Sequence, residues 1–289
     1  MLTENQKLLI YWIIERNKIR QSKDCGNPAP WSKDPIFQAT YFTNVNREED
    51  KVTKWIRTNW TYPTFKDDFE EICSSYESYT LAIMAARLFN LPSTLAEIRQ
   101  PIDGEEDLWL DNLGDVLYHL KEKGQTIWNG AYIVSTNGKK ISKAEYCVGL
   151  LRKAKPQLSN MRFTSLAETH KQLMKVEGLA SFLAAQIVAD LKNTADHPLY
   201  EAEDWWDFSA YGPGSLRGLS WFWGNKITPA TYDSAIQDAM GILQWELPEQ
   251  ILSILCMQNL QNCFCEFDKY MRILNNSGRS KRKYNGKGK

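Results

Sequence analysis

Helical periodicity runs along most of this chain and constrains its fold more than any other feature. Apolar residues recur three and four positions apart, as at Leu9, Trp12 and Ile13. Three capping boxes of the form Ser/Thr-x-x-Glu/Gln mark expected helix starts. They begin at Thr3, Ser142 and Ser165. The pattern predicts an all-α fold.

One segment departs from this pattern. Residues 126–136 are the candidate for a strand or an extended hairpin, because they contain Ile127, Ile133 and Val134 and are followed by the turn signal Asn137-Gly138. We predict one helical domain over residues 1–278, built as a single body or as two lobes, followed by a disordered basic tail at 279–289.

Composition excludes several classes of protein. The chain has 289 residues, 43% of them hydrophobic, and 11 Trp, so it can bury a sizeable core and is not mainly disordered. No apolar run approaches the roughly 20 residues that span a bilayer, and the N-terminus does not resemble a secretory signal. We expect a cytoplasmic protein without a membrane partner, in the host cytoplasm if its source is a bacteriophage.

The formal net charge of +0 conceals a segregation of charge. Six of the last eleven residues are basic and none is acidic. The preceding 278 residues hold 29 basic and 35 acidic side chains, a net charge of −6. Such a tail is usually a solvated end, and the alternative is a non-specific contact with nucleic acid.

Metal and cofactor chemistry have little support in the sequence. The six Cys include no CxxC pair, and the three His form no cluster with ligand spacing. We predict reduced thiols, no metal site and no dedicated cofactor.

A helix–turn–helix segment lies at residues 166–191. It resembles the helix-hairpin-helix of the DNA glycosylase superfamily, whose hairpin amides hold a DNA phosphate. Gly178 matches the first hairpin glycine, whereas Ala180 stands where a second glycine is expected. We assign Gly178, Ala180, Lys171 and Lys175 to DNA binding, as part of a basic stretch at 139–175. The alternative is a plain packed helical hairpin.

A second candidate segment follows at residues 203–219. Asp204 lies at roughly the distance from Gly178 at which glycosylases carry a catalytic Asp. Gly212, Gly214 and Ser215 offer backbone amides, and Arg217 adds a planar cation, which together suit a phosphate or pyrophosphate. The alternative is a glycine turn between core helices, with Arg217 in a salt bridge.

A third candidate is the helix start near Asn44. There Asn44 or Asn46 can cap a helix, Arg47 can bind an anion, and Asp50 can accept a proton. The alternative is a set of solvated ion pairs one helical turn apart.

Together these segments resemble the α-glutamyl/putrescinyl thymine pyrophosphorylase family, a DNA hypermodification group of phages. This group includes amino acid:DNA transferases and the helical domain found with 5-hydroxymethyluracil DNA kinases. The most specific match is Phe42-x-Asn44-Val45-x-Arg47-Glu48-x-Asp50. Shorter matches, in order, are Glu15-Arg16, Pro30-Trp31, Gly130-Ala131-Tyr132 and Gly212-Pro213-Gly214-Ser215 with Arg217-Gly218-Leu219.

The resemblance implies a DNA glycosylase-like helical fold and a substrate of double-stranded DNA containing 5-(pyrophosphoryloxymethyl)uracil. It implies that an amino acid or polyamine displaces the pyrophosphate from a base flipped out of the stack. For that chemistry Asp204 or Asp50 is the candidate base, and Arg47 and Arg217 face the leaving group. Trp31 and Tyr132 are candidates for stacking on the base.

Two other functions stay open. In a base-excising glycosylase, Asp204 would stabilise an oxocarbenium ion or activate water. In a non-catalytic module, the helical domain would bind DNA for a kinase or another modification enzyme. The sequence has no G-x-x-x-x-G-K-[ST] segment, so a P-loop kinase is not predicted.

Overall fold

The computed structural model describes residues 1–61, 75–101, 104–130, 135–195 and 197–277. Across these ranges it contains thirteen α-helices and no β-strand, which confirms the all-α prediction. The helices are α1 (Glu4–Asp24), α2 (Pro35–Ala39), α3 (Lys51–Ile56), α4 (Tyr76–Phe89), α5 (Pro92–Ile98), α6 (Glu106–Glu122), α7 (Lys143–Leu158), α8 (Leu166–Leu173), α9 (Ser181–Leu191), α10 (Pro213–Trp223), α11 (Tyr232–Glu246), α12 (Glu249–Leu252) and α13 (Met257–Leu274).

The predicted helix starts agree with the structure where their caps can be compared. Thr3 and Ser142 each form both hydrogen bonds of a capping box. Ser165 accepts a hydrogen bond from the Glu168 backbone N–H. Each bond satisfies a helix-terminal amide that would otherwise lack a partner.

Two predicted segments differ from expectation or lie partly outside the described ranges. Residues 126–130 are irregular, and residues 131–134 are not among those described, so the extended hairpin is not found where it can be observed. The turn at Asn137-Gly138 is present, with positive φ at both residues. The basic tail at 279–289 lies outside the described residues.

The chain divides into two compact units. Unit 1 combines residues 1–50 with residues 206–289, and unit 2 comprises residues 51–205. The prediction left one body or two lobes open, and the N-terminal segment shares its unit with the C-terminal helices. None of the helices described is long and apolar enough to cross a membrane.

The core of unit 1 forms around α1, α10, α11 and α13. Leu9 and Trp12 of α1 pack with Phe222 of α10 and Phe264 of α13, all fully buried. The α10–α13 contact is especially close. A Cβ on Gly218 would lie 2.0 Å from the Phe264 carbonyl oxygen, so only glycine permits this helix spacing.

The core of unit 2 forms around α4, which packs against α7 and α9. Twelve of its fourteen residues are buried. A polar cluster lies inside this apolar surrounding, where Arg87 of α4 meets Asp190 of α9.

Candidate functional site

Arg16 is a buried cation of unit 1 and lies on the inward face of α1. Its Nε donates hydrogen bonds to the carbonyl oxygens of Phe42 and Thr43, at 3.3 and 2.9 Å, and its Nη2 donates to the side-chain oxygen of Asn44. Its Nη1 is buried and has no hydrogen-bond partner among the described residues. Burial lowers the pKa of Arg16, yet a guanidinium stays protonated in proteins.

Asn44 connects Arg16 to Asp50. The Asn44 side-chain amide donates to the Glu49 carbonyl oxygen at 2.8 Å, and the Asn44 backbone N–H donates to Asp50 Oδ1 at 2.9 Å. Asn262 of α13 donates to the Asn44 carbonyl oxygen at 3.4 Å. The segment that the sequence singled out at Asn44 is therefore folded around its own polar groups and held against α13.

The Asp50 carboxyl is a weaker acid than an ordinary Asp side chain. Burial raises the pKa of Asp50 to about 6, although the hydrogen bond from Asn44 and the charges of Arg16 and Arg47 act in the opposite direction. A carboxyl with a pKa near 6 is mostly ionised at neutral pH and still basic enough to accept a proton during a reaction.

Arg47 opens a 3₁₀ turn, Arg47–Glu49, which Asn46 caps through the Glu48 backbone N–H. Its own backbone N–H donates to the Asn259 side chain at 3.2 Å, and its Nη1 lies 3.1 Å from Glu48 Oε1. The side chain is buried, not part of a solvated helix surface. We call Arg16, Asn44, Arg47 and Asp50 the Asn44 network.

Of the two residues predicted to stack on the base, Trp31 is among the described residues and Tyr132 is not. The Trp31 ring is partly buried, and its Nε1 donates to the Asn27 carbonyl oxygen at 2.7 Å. It lines a pocket that Arg16 also lines. Tyr132 lies outside the described residues, and its role stays a prediction.

The segment at Gly212 starts a helix and supports a close helix contact. Gly212 is the N-cap of α10, and its backbone N–H donates to Ser215 Oγ at 2.9 Å. A Cβ on Gly214 would lie 2.4 Å from Cys265 Sγ. Packing against α13 thus accounts for Gly214, and the Gly212 amide already has a partner within the turn. Phosphate binding by Gly212, Gly214 and Ser215 stays a prediction.

Arg217 is exposed and forms an ion pair with a buried carboxylate. Its Nε and Nη2 donate to Asp268 Oδ2 at 3.0 and 2.9 Å, and Arg272 donates to the same oxygen at 3.1 Å. The hydrogen bond to Asp268 raises the pKa of Arg217. This is the salt bridge that the alternative interpretation anticipated, and binding of a leaving group by Arg217 stays a prediction.

The helical hairpin of unit 2 has the turn that its glycine predicts. Helices α8 and α9 pack together across it, and Gly178 has a φ of +89°. A Cβ at Gly178 would lie 2.7 Å from both Leu150 Cδ1 and the Tyr146 hydroxyl. Ala180 is the N-cap of α9. The geometry fits a packed hairpin as well as a phosphate-binding one.

The basic side chains near this hairpin fall into two groups. Lys171 and Lys175 are exposed. Lys139 and Lys153, in contrast, converge on Glu177, with distances of 2.5 and 2.6 Å between nitrogen and oxygen. Two of the lysines predicted to face DNA therefore already form surface ion pairs with Glu177.

Asp204 belongs to unit 2 and caps a helix. Its Oδ1 accepts from the Leu166 backbone N–H at 2.8 Å, and its Oδ2 accepts from Ala167 at 2.9 Å. Both oxygens thus bind the first turn of α8, where a negative charge is stabilising. This contact gives Asp204 a structural reason to be present, and its catalytic role stays a prediction.

The structure brings Asn44, Arg47 and Asp50 together in unit 1, as the sequence proposed. It adds Arg16, to which the sequence analysis gave no role. Its burial could have been suspected from the sequence, because Arg16 follows Trp12 by one helical turn and so falls on the apolar stripe of α1. Among the residues that the structure describes, no cluster of three or more His, Cys, Asp or Glu could hold a metal ion.

Comparison with known proteins adds a family assignment. A protein described as "5-hmdU DNA kinase" from Bacillus phage SP10 is 23% identical over 227 residues, which covers 72% of this chain and 34% of that protein. The chain thus spans about a third of the length of the curated relative it matches. No solved structure matches the chain significantly. The family model described as "5-hmdU DNA kinase, helical domain" matches residues 3–280, and the chain therefore belongs to that family.

Proposed function

We propose that this chain modifies DNA at a 5-substituted uracil and that the Asn44 network is its reacting centre. The substrate is DNA in which 5-hydroxymethyluracil carries a pyrophosphate, and the product carries an amino acid or polyamine in its place. The observation that carries the proposal is the network itself, a carboxyl with a raised pKa beside two buried arginines. Family membership supports DNA thymine hypermodification as the setting.

The chemistry requires a base and a site for negative charge. The amine nitrogen attacks the methylene carbon at C5, a C–N bond forms, and the C–O bond to pyrophosphate breaks. The attacking nitrogen loses one proton, which the ionised Asp50 carboxylate accepts. The leaving pyrophosphate gains negative charge, and the buried Arg47 stabilises it more strongly than a solvated cation would.

Product analysis tests this proposal. Double-stranded DNA containing 5-hydroxymethyluracil, with and without prior pyrophosphorylation, is incubated with the chain and a panel of amino acids and polyamines. Nucleosides from the digested DNA are then analysed by mass spectrometry. We expect an amine adduct only with pyrophosphorylated DNA. Asp50→Asn should lower the rate of adduct formation by about a hundredfold or more, and Lys18→Gln, an exposed change on α1, should leave it unchanged.

The other outcomes separate the alternatives. Abasic sites in place of adducts would show base excision. Addition of phosphate from ATP to 5-hydroxymethyluracil would show a kinase activity in the chain itself. Either result, or unchanged DNA in all reactions, would overturn the transfer proposal.

A second candidate function is that of a DNA-binding module for a modifying enzyme. Its support is that the matching family is described as a helical domain and that the chain spans 34% of its phage relative. This candidate predicts tighter binding to DNA with 5-hydroxymethyluracil than to DNA with thymine, without a change in the DNA. Fluorescence anisotropy with matched duplexes measures that preference.

A further inference from the structure

A pocket of about 230 Å³ opens in unit 1 beside the Asn44 network. Its walls come from α1, from residues 29–32, from α2 and from residues 40–42. The apolar part of the wall includes the side chains of Trp31, Phe37 and Phe42. Flat aromatic side chains of this kind offer contact area to a planar ring.

The charged part of the wall is basic. Arg16 and Lys23 both line the pocket, and none of the described residues that line it is acidic. Burial and the nearby Arg16 lower the pKa of Lys23, and the Asp24 carboxylate acts in the opposite direction. Two cations held close together beside an apolar wall favour an anionic ligand, because an anion would relieve their mutual repulsion.

Arg16 also has unused hydrogen-bonding capacity. The side chain is 6% exposed, and its other nitrogens donate to neutral oxygens, whereas Nη1 has no partner in the described part of the chain. An unsatisfied buried donor on a charged group costs free energy. An anion bound in the pocket beside the guanidinium would offset part of that cost through its charge.

Trp31 is held in a fixed orientation. The hydrogen bond from its Nε1 to the Asn27 carbonyl oxygen anchors one edge of the ring. The Lys23 Nζ lies 4.5 Å from the ring centroid. The Lys23 ammonium and the Arg16 guanidinium thus both lie at the aromatic wall of the pocket.

We propose that this pocket binds a phosphoryl oxyanion carried on a pyrimidine ring, with Arg16 and Lys23 binding the oxyanion and the aromatic wall contacting the ring. An amino acid fits less well, because its ammonium group would find no carboxylate among the described lining residues. The pyrimidine identity rests on the proposed function, whereas the preference for a phosphoryl anion rests on the pocket alone.

Isothermal titration calorimetry with free ligands tests this inference without DNA. The probes are 5-phosphoryloxymethyl-2′-deoxyuridine, 5-hydroxymethyl-2′-deoxyuridine, inorganic pyrophosphate and glutamate. We expect the phosphorylated nucleoside to bind at least about tenfold more tightly than the unphosphorylated one, as a charge-assisted hydrogen bond provides. Equal affinities, or tighter binding of glutamate, would overturn the inference.

Variants assign the binding to this pocket. Lys23→Gln and Trp31→Leu should each weaken binding of the phosphorylated nucleoside by about tenfold. Lys18→Gln on the same helix should leave it unchanged. Arg16→Lys should weaken it further, and circular dichroism establishes that the variant is folded. Unchanged affinity in both Lys23→Gln and Trp31→Leu would place the ligand elsewhere and overturn the inference.

A DNA arm separates the two sources of the ligand. The same variants are titrated with a duplex that contains the phosphorylated base. If Lys23→Gln binds this duplex more weakly than the parent chain does, a base within DNA enters the pocket. A free nucleotide is the source if only the nucleoside responds. Loss of nucleoside binding in Lys23→Gln supports the pocket even if no amine adduct forms on DNA. Adduct formation with unchanged nucleoside binding in the pocket variants supports the proposed function alone.

Discussion

Both units bury an arginine inside a polar cluster, Arg16 in unit 1 and Arg87 in unit 2, and these two side chains are hydrogen-bonded in different ways. In unit 2, Arg87 binds both oxygens of Asp190 through Nε and Nη2, and its Nη1 donates to Asn90 at 3.2 Å. In unit 1, Arg16 donates only to carbonyl and amide oxygens and keeps Nη1 without a partner among the described residues.

This difference supports a proposed ligand at Arg16 and offers no such support at Arg87. The Asp190 carboxylate accepts two hydrogen bonds from Arg87 and also pairs with Arg57 at 3.1 Å, so the directional donors of Arg87 are used within the protein. Arg16 is neither neutralised by a bonded carboxylate nor fully hydrogen-bonded, and it lines a pocket. Burial of a charge alone therefore does not mark a ligand site, and Arg16 differs from Arg87 in its unused donor and in its place at a pocket.

The largest expected effect comes from removing the Arg87–Asp190 ion pair of unit 2. Asp190 is fully buried, and Arg87 is 1% exposed. Asp190→Ala leaves the Arg87 guanidinium buried without its main partner, so we expect the free energy of unfolding to fall by about 3–5 kcal/mol. Urea titration followed by circular dichroism measures it.

An exposed ion pair of the same unit provides the control. Arg152 and Asp111 pair at 2.7 Å on the surface. Arg152→Ala should change stability by no more than about 1 kcal/mol. A similar loss for both variants would contradict the distinction between buried and exposed pairs.

The next largest effect is expected in the Asn44 network of unit 1. If Asp50 accepts the proton, Asp50→Asn should lower the rate of amine transfer by about a hundredfold or more. In the parent chain the rate should rise with pH, with a midpoint near the pKa of about 6. A pH–rate profile of both proteins measures this, and an unchanged acidic limb in Asp50→Asn would contradict the role.

Stability provides the control for that variant. The pKa of Asp50 is about 6 in the folded chain and 3.8 ordinarily, so its ionisation lowers stability between about pH 4 and pH 6, and the full penalty remains above pH 6. A neutral Asn there should leave stability at pH 8 unchanged or higher. Loss of rate with retained stability identifies a functional group.

A smaller effect comes from His197 in unit 2. Burial lowers its pKa to about 4, so the unfolded chain binds a proton more readily than the folded one. Stability should therefore fall as pH drops from about 6.5 towards 4, by about 2 kcal/mol between pH 7 and pH 5. Nδ1 accepts the Leu199 backbone N–H, and His197→Asn preserves such an acceptor. Its stability should depend less on pH, and equal pH dependence in urea titrations would refute the assignment.

The smallest effect distinguishes Asp204 from Asp50. Because both Asp204 oxygens bind the start of α8, Asp204→Ala should cost about 1 kcal/mol of stability. We expect amine transfer per folded molecule to persist. A hundredfold loss of rate in Asp204→Asn, with normal stability, would instead favour Asp204 as the base.

Much of the local structure could be predicted from the sequence. Helix starts at Thr3 and Ser142 follow from side-chain caps four residues long, and such interactions do not depend on the rest of the fold. The turn at Asn137-Gly138 is equally local. The interpretation of residues 126–136 was weaker, because short apolar runs fit several structures.

The candidate site was predicted less completely. Asn44, Arg47 and Asp50 are close in sequence, so one capped segment was enough to associate them. Arg16 comes from another helix, and Asn259 and Asn262 come from α13, more than two hundred residues away. No local pattern reports such contacts.

The helical class, the helix starts at Thr3, Ser142 and Ser165 and the candidate segment at Asn44 could be read from the sequence, because they depend on periodicity and on neighbours within a few residues. The pairing of the buried charges, in contrast, became visible only in the folded chain. The fold joined Arg87 to Asp190 and left Arg16 with an unused donor beside a pocket. The physical reason is that burial and partner distance set the energy of a charge, and both arise from packing between elements remote in sequence.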